Sequence, residues 1–197
     1  MATLRFIRPQ VLQLCFGLAL IILVQTYPVG AQDITLVKTR INDEISLLVP
    51  DRFIPMGPQD IRSKFISYRE PLAGFTSEDR STDLVINVSK TPWSNQDMEL
   101  LKDFYENNIR NLFDEVTFHQ NELQDINGRD YAVFEFSSTV SGDPNSLRNK
   151  TPVYDYRYVL YTVDDFNVYV FTFYCPARSK DLWQPTAHQI MSGIEFK

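Results

Sequence analysis

Cysteine is almost missing from this chain. Cys15 and Cys175 are the two in 197 residues, and Cys15 lies in an apolar leader, so a folded domain would keep one. One cysteine cannot close an internal disulfide, which excludes a disulfide-stapled scaffold. Cys175 ends an apolar strand segment and reads as buried, with a reactive or intermolecular thiol as the alternative. Histidine is as scarce. His119 and His188 stand far apart in the sequence, with no carboxylate or cysteine at metal-ligand spacing, so no metal site is expected. Gly-x-Ser-x-Gly, a phosphate loop, a dinucleotide fingerprint and a calcium loop are all lacking. No cofactor is therefore expected, and no residue is assigned a catalytic role. Basic charge is short too, with 19 Lys and Arg against 25 Asp and Glu. That balance speaks against nucleic acid or an anionic membrane as the main partner, because phosphate contacts need a positive surface.

A hydrophobic run long enough to cross a bilayer is also lacking. The apolar stretch Val11 to Val24 has fourteen residues, fewer than the ~20 a span requires. Arg5 and Arg8 precede it and Val29-Gly30-Ala31 comes after it, the layout of a secretory signal peptide over residues 1–31 with a mature chain from Gln32. An uncleaved anchor is the competing reading. Cys15 lacks the preceding small residues of a bacterial lipidation site. The expected location is secreted or periplasmic, with no membrane span left after cleavage. Arg5 and Arg8 are the only charges in the leader, so 17 basic residues would face 25 acidic ones afterwards, a net charge of −8. Residues 32–197 are enough for a single domain that buries about two thirds of its unfolded surface.

What the chain has in quantity is aromatic and β-branched strand sequence. Between Tyr131 and Cys175 lie YAVFEFSSTV, VYDYRYVLYT and FNVYVFTFYC, rich in the side chains that pack on a pleated surface. In the first, Ala132, Phe134, Phe136 and Val140 share a core face. Tyr131, Glu135, Ser137 and Thr139, with Val133, share a face expected to be partly wet. The second puts Tyr154, Tyr156, Tyr158 and Leu160 opposite Val153, Asp155, Arg157, Val159 and Tyr161. The third is apolar on both sides from Phe166 to Phe173, which predicts a central strand covered on both faces. Asp164-Asp165 is the expected turn before it. Asn127-Gly128, a pair that accepts positive φ, predicts a two-residue hairpin joining a polar strand, 116–124, to the first of the three. The result is a four-stranded antiparallel meander with a long hydrophilic connection, Ser141 to Lys150. That connection reads as a disordered hairpin loop or as a specificity loop at one end of the sheet.

Upstream, Ile34–Thr39 and Ile45–Val49 flank Asn42-Asp43 as a hairpin. Pro50, Pro55, Gly57 and Pro58 punctuate the next stretch. Asp60–Phe65 suits a short helical turn, and a polar segment runs through Thr76–Ser81. Asp83–Ser89 returns to strand alternation, with Leu84, Ile86 and Val88 on one face. The best helix runs from Ser94 or Asn95 to Phe113. Ser94 and Asp97 form an acidic variant of the capping box, and Met98, Leu101, Phe104 or Tyr105, Ile109 and Leu112 make one apolar stripe. A second helix is expected with Pro185 at its first position, burying Ala187, Ile190, Met191 and Ile194. Two helices flanking one sheet would explain a strand that is apolar on both sides.

Candidate functional groups are few. The acidic pairs Asp43-Glu44, Glu78-Asp79, Asp114-Glu115 and Asp164-Asp165 read as solvated turns and helix ends. A hydrolase would need two acids held ~5–9 Å apart across a cleft, and no such pair stands out. Asp130 and Glu135 are strand residues whose sheet position would bring them near Arg157, as a structural salt bridge rather than the alternative, a catalytic cluster. Tyr154, Tyr156 and Tyr158, interleaved with Arg157 and close to Arg148 and Lys150 of the 141–150 connection, form either a core row under a helix or, facing water, a binding surface of rigid amphipathic side chains.

The order hairpin, proline-punctuated segment, strand, long helix, meander and terminal helix, with the phrases SLLVPDRF and QIMSGIEF, resembles the Mog1/PsbP-like family over most of residues 34–197. The resemblance implies an α+β fold, an α/β/α sandwich with a mainly antiparallel sheet. It also implies a mostly non-enzymatic, protein-associated role, as an accessory or binding protein with an envelope protein as partner. A secreted small-molecule-binding protein or a hydrolase with a non-standard site is the alternative. Oligomeric state is left open.

Overall fold

The computed structural model describes residues 34–64, 70–142 and 151–197. The expected signal peptide, with Cys15, lies outside them, as do Arg148 and Lys150.

The chain opens on a hairpin of β1 (Leu36–Arg40) and β2 (Ile45–Pro50), whose turn is tied by the Asn42 side chain accepting from the Glu44 and Ile45 amides. β2 alternates strictly, so Ile45, Leu47 and Val49 are buried. The last residues of the chain, β10 (Glu195–Phe196), pair with β2, making a three-stranded sheet that the sequence did not suggest. A short α1 (Pro58–Lys64) covers most of the helical turn expected at Asp60–Phe65, and β3 (Ile54–Pro55) and β4 (Ala73–Thr76) occupy flanking stretches read as turns and polar loop. β5 (Asp83–Lys90) is next, then α2 (Met98–Leu112), then four long strands: β6 (Glu115–Ile126), β7 (Arg129–Val140), β8 (Val153–Asp164) and β9 (Asn167–Pro176). With α3 (Lys180–Ser192) before β10, the larger sheet is seven-stranded and antiparallel, in the order β3-β4-β5-β9-β8-β7-β6. This is the expected α+β sandwich: α2 packs over β6, β7 and β8 on one face, while α3 and the small sheet cover the other.

Local chemistry explains most element ends. Asn127 and Gly128 both have positive φ, 55° and 84°, as a tight primed hairpin turn demands. The second such turn is Asp165-Phe166, with φ of 43° and 53°, one residue later than expected, so Phe166 leaves the strand and is exposed. The Ser94–Asp97 box forms: the Asp97 carboxylate accepts from the Ser94 amide at 2.8 Å, and the Ser94 hydroxyl accepts from the Gln96 amide at 3.3 Å. Below it Met98, Leu101 and Ile109 are buried and Tyr105 stacks on Tyr161 at 3.9 Å. Leu112, expected in the stripe, is 72% exposed. α3 begins five residues before Pro185, which sits inside the helix. Two residues earlier, the half-buried Trp183 packs its ring on Phe53 and Phe173.

Two expectations about strand faces are refined. The second face of β7 is dry where Tyr131, Val133 and Glu135 are buried beneath α3 and its neighbours, and half-buried at Ser137 and Thr139, so it is partly wet only toward the strand's end. β9 is central as expected, but its α2-side residues Val170, Thr172 and Tyr174 are only half-buried. β6 carries a bulge that the sequence reading missed. The register with β7 shifts between Phe118 and Gln120, leaving His119 unpaired. An extra residue flips every later side chain, so Val116, Phe118 and then Leu123 all reach the α2 core.

Gly193, which ends α3, lies where a Cβ would come 2.8 Å from Leu48 Cδ1 and 3.0 Å from the Gln189 carbonyl. Leu48 can rotate, but the backbone oxygen cannot. Gly193→Ala is expected to cost about 1–3 kcal/mol, and Leu48→Ala in the same chain to recover part of it. Urea denaturation of the two single variants and the double variant checks this.

Candidate functional site

Strand parity decides which polar groups meet. Glu135 pairs across the sheet with Tyr158 and Gln120, whereas Phe136 pairs with Arg157. Glu135 and Arg157 therefore point to opposite faces, and the expected salt bridge between them does not form. Arg157 pairs instead with Asp155 at 3.2 Å.

Glu135 enters the α3-side core, where it is 3% exposed. A buried carboxylate is costly unless its lone pairs are filled, and three donors fill them. The Tyr156 hydroxyl donates at 2.9 Å, Gln184 Nε2 at 2.5 Å, and His188 Nε2 lies at 3.1 Å. Gln184 and His188 are four residues apart on α3, so both reach down from one helix face. Burial works to raise the Glu135 pKa, but the bonds from Gln184, Tyr156 and His188 outweigh it and hold the carboxyl below its ordinary value. Burial first, and then the same carboxylate, drive the Tyr156 hydroxyl far upward, and burial pushes Tyr158 up to about 12.

The bulge turns His119 toward this place. Its Nε2 lies 2.8 Å from Ser137 Oγ and 3.1 Å from Lys180 Nζ. Burial and then the Lys180 charge lower its pKa, which favours the neutral ring, whose one Nε2 lone pair the Ser137 hydroxyl and the Lys180 ammonium compete for. The two histidines, distant in sequence, thus line one cleft of about 560 Å³ with Glu135, Tyr158 and Gln120, between α3 and the edge of the sheet. Tyr158 donates to Gln120 Oε1 at 3.1 Å and its ring lies 5.0 Å from that of His188. Among the described residues no group of three His, Cys, Asp or Glu is placed to hold a metal ion.

Chemically the cleft is a polar binding surface more than a reaction centre. A general base needs a free lone pair and a pKa near the working pH. Glu135 is fully engaged by donors, and His119 is weakened by a cation on the nitrogen that faces Ser137. Cys175 is equally inert, buried with its thiol pushed up to about 12 by burial and then by Asp155.

The tyrosine row separates. Tyr156 and Tyr158 are core beneath α3, while Tyr154 is 58% exposed. On the opposite face of the sheet, the α2 face, the cross-strand pair Val153 and Val140 is 51% and 42% exposed. The C-terminus of α2 is tied to the same end, with Asp114 bonding Thr139 and Ser141 at 3.1 and 2.6 Å, and Leu112 of its last turn is exposed. The signal for Glu135 was present in the sequence, a lone acid inside YAVFEFS. Its partners on α3 carried none.

No family model matches this chain, and no curated protein matches it. Solved structures do share its fold. Cyanobacterial PsbP (CyanoP) from Synechocystis sp. PCC 6803 superposes with a TM-score of 0.56 at 15% identity, covering 89% of this chain and 99% of that one. The Ran-binding protein Mog1p of Saccharomyces cerevisiae gives 0.50 at 9% identity over 83% and 96%. LpqN of Mycobacterium tuberculosis, involved in cell envelope biogenesis, gives 0.50 at 12% identity over 84% and 92%. The fold is Mog1/PsbP-like.

Tyr156→Phe removes one donor from a buried carboxylate and is expected to cost about 1.5–3 kcal/mol in urea denaturation. The Glu135 pKa is depressed in the fold, so its stabilisation is complete above the unfolded value of about 4.3 and fades as pH falls through the native one. The stability gap between the native protein and Glu135→Gln should therefore be widest near neutral pH and narrow below that value.

Proposed function

We propose that this protein is an exported, non-enzymatic accessory module of the cell envelope, residues 32–197 forming one domain that docks a partner protein. The observation that carries the reading is the exposed cross-strand pair Val140 and Val153 with Leu112 of α2, on the α2 face at one end of the sheet, and Tyr154 on the other face of the same strand end, large apolar side chains all more than two fifths exposed. Grouped exposed apolar residues are unusual on a monomer and mark interaction surfaces. They flank the 141–150 connection, whose Arg148 and Lys150 would add a polar rim. By contrast, the buried Glu135 carboxylate is engaged by Tyr156, Gln184 and His188.

Three further features agree. The basic, apolar and small-residue order of residues 1–31 suits export, and no helix among the described residues is long and apolar enough to cross a membrane. The same fold serves a Ran-binding protein in yeast Mog1p and envelope biogenesis in LpqN. An acidic surface, net −8 after loss of the leader, favours a protein partner over nucleic acid.

N-terminal sequencing of the protein recovered from the envelope and secreted fractions should begin at Gln32; a retained leader in a membrane pellet would refute export. Affinity capture from those fractions should return a reproducible protein whose recovery drops at least about tenfold, 1.4 kcal/mol, with Val153→Lys or Tyr154→Ala. Both sites are exposed, so folding stability should stay within about 0.5 kcal/mol. Capture unaffected by either change would sink this docking surface.

A further inference from the structure

The α2 face of the large sheet is wider than its helix. Strands lie about 4.8 Å apart and a helix with side chains is about 10–12 Å across, so α2 spans β6, β7 and β8 but leaves β9 and β5. Over those two strands opens a cavity of about 470 Å³, within the size range of small-molecule sites. Its floor carries Val85 and Asn87 from β5 with Thr172 and Tyr174 from β9, and its walls include three cations, Lys64, Arg80 and Arg157.

The cations do not face the cavity equally. Lys64 is spent on Asp83 at 2.5 Å, itself also bonded by the Thr76 hydroxyl at 2.7 Å. Asp83 is the one carboxylate among the described lining residues. Arg80 and Arg157 are anchored by Asp60 and Asp155, neither of which lines the cavity. Arg157 is held flat, its guanidinium 4.8 Å from the Tyr174 ring and 5.1 Å from that of Phe113. One N–H bonds Asp155, but its Nε is buried without a hydrogen-bond partner. A guanidinium can only donate; the Nε is shut away from the cavity, and the terminal N–H groups of this partly exposed side chain that Asp155 does not take are the donors left for an acceptor.

We propose that this cavity binds a small organic monocarboxylate. Arg157, assisted by Arg80, takes the carboxylate by its planar donor fork, Asn87 and Thr172 supply neutral hydrogen bonds, and Val85 with the Tyr174 ring accommodates an apolar or aromatic body. Both arginines are already partly neutralised, which suits one negative charge better than the two of a phosphate monoester. The site lies on the opposite sheet face from the Glu135 cleft and does not depend on the docking surface at Tyr154.

The test is calorimetric titration of the purified protein at low ionic strength with benzoate, phenyl phosphate and benzyl alcohol. Saturable benzoate binding is expected, weakened at least about tenfold by Arg157→Gln and abolished by Asn87→Phe, which fills the cavity floor without touching the arginines. Circular dichroism and melting of both variants separate loss of site from loss of fold. No saturable benzoate binding below about 10 mM, or binding that survives both folded variants, overturns the proposal. Phenyl phosphate binding tenfold tighter than benzoate would overturn the monocarboxylate assignment, and benzyl alcohol binding equally well would overturn the role of the arginines.

Discussion

A seven-stranded sheet offers two faces roughly 30 Å wide, and this chain has one long helix for each. That shortfall of cover organises the molecule. Where cover is complete, strands are apolar on both sides, as in Leu160, Phe171 and Phe173 beneath α3 with Val159 and Val168 beneath α2. On the α3 side the remainder is supplied by the N-terminal hairpin, whose Ile45, Leu47 and Val49 close the core and which β10 locks in place. Where cover runs out, concavities remain: the Glu135 cleft at the β6 edge and the Arg157 cavity over β5 and β9.

Polar groups inside the fold obey the same geometry. Glu135 would be a strong destabiliser in an apolar strand, yet α3 delivers two donors four residues apart and β8 a third. That network orients α3 on the sheet, and the Asn127 side chain adds a clasp by donating to the Ser192 and Ile194 carbonyls at 3.1 and 2.8 Å. The turn that joins β6 to β7 thus also holds the helix end. Exposed pairs such as Lys38–Glu195 at 2.7 Å contribute little by comparison, since water and salt screen them.

Much of the fold was legible because it rests on local rules. The meander, the capped α2, the Asn-Gly turn and the face of β5 all come from side-chain period and turn chemistry. Elements set by tertiary packing were not legible. β3 and β4 are short and carry proline and glycine, β10 is two residues long, and Pro185 sits inside a helix that continues on its N-terminal side to Lys180. The β6 bulge did leave a trace, since its apolar residues change parity between Phe118 and Leu123.

The candidate sites divide along the same line. By itself the sequence determined an acidic chain, a basic-then-apolar order in its first 31 residues, and an antiparallel sheet flanked by two helices, because charge, period and capping act within a few residues. Only the tertiary structure decided that His119 and His188 share a cleft with Glu135, that Tyr156 is core while Tyr154 is surface, and that Arg157 turns away from Glu135. Those outcomes depend on cross-strand register and on which face a helix can reach, and no window along the chain contains both partners.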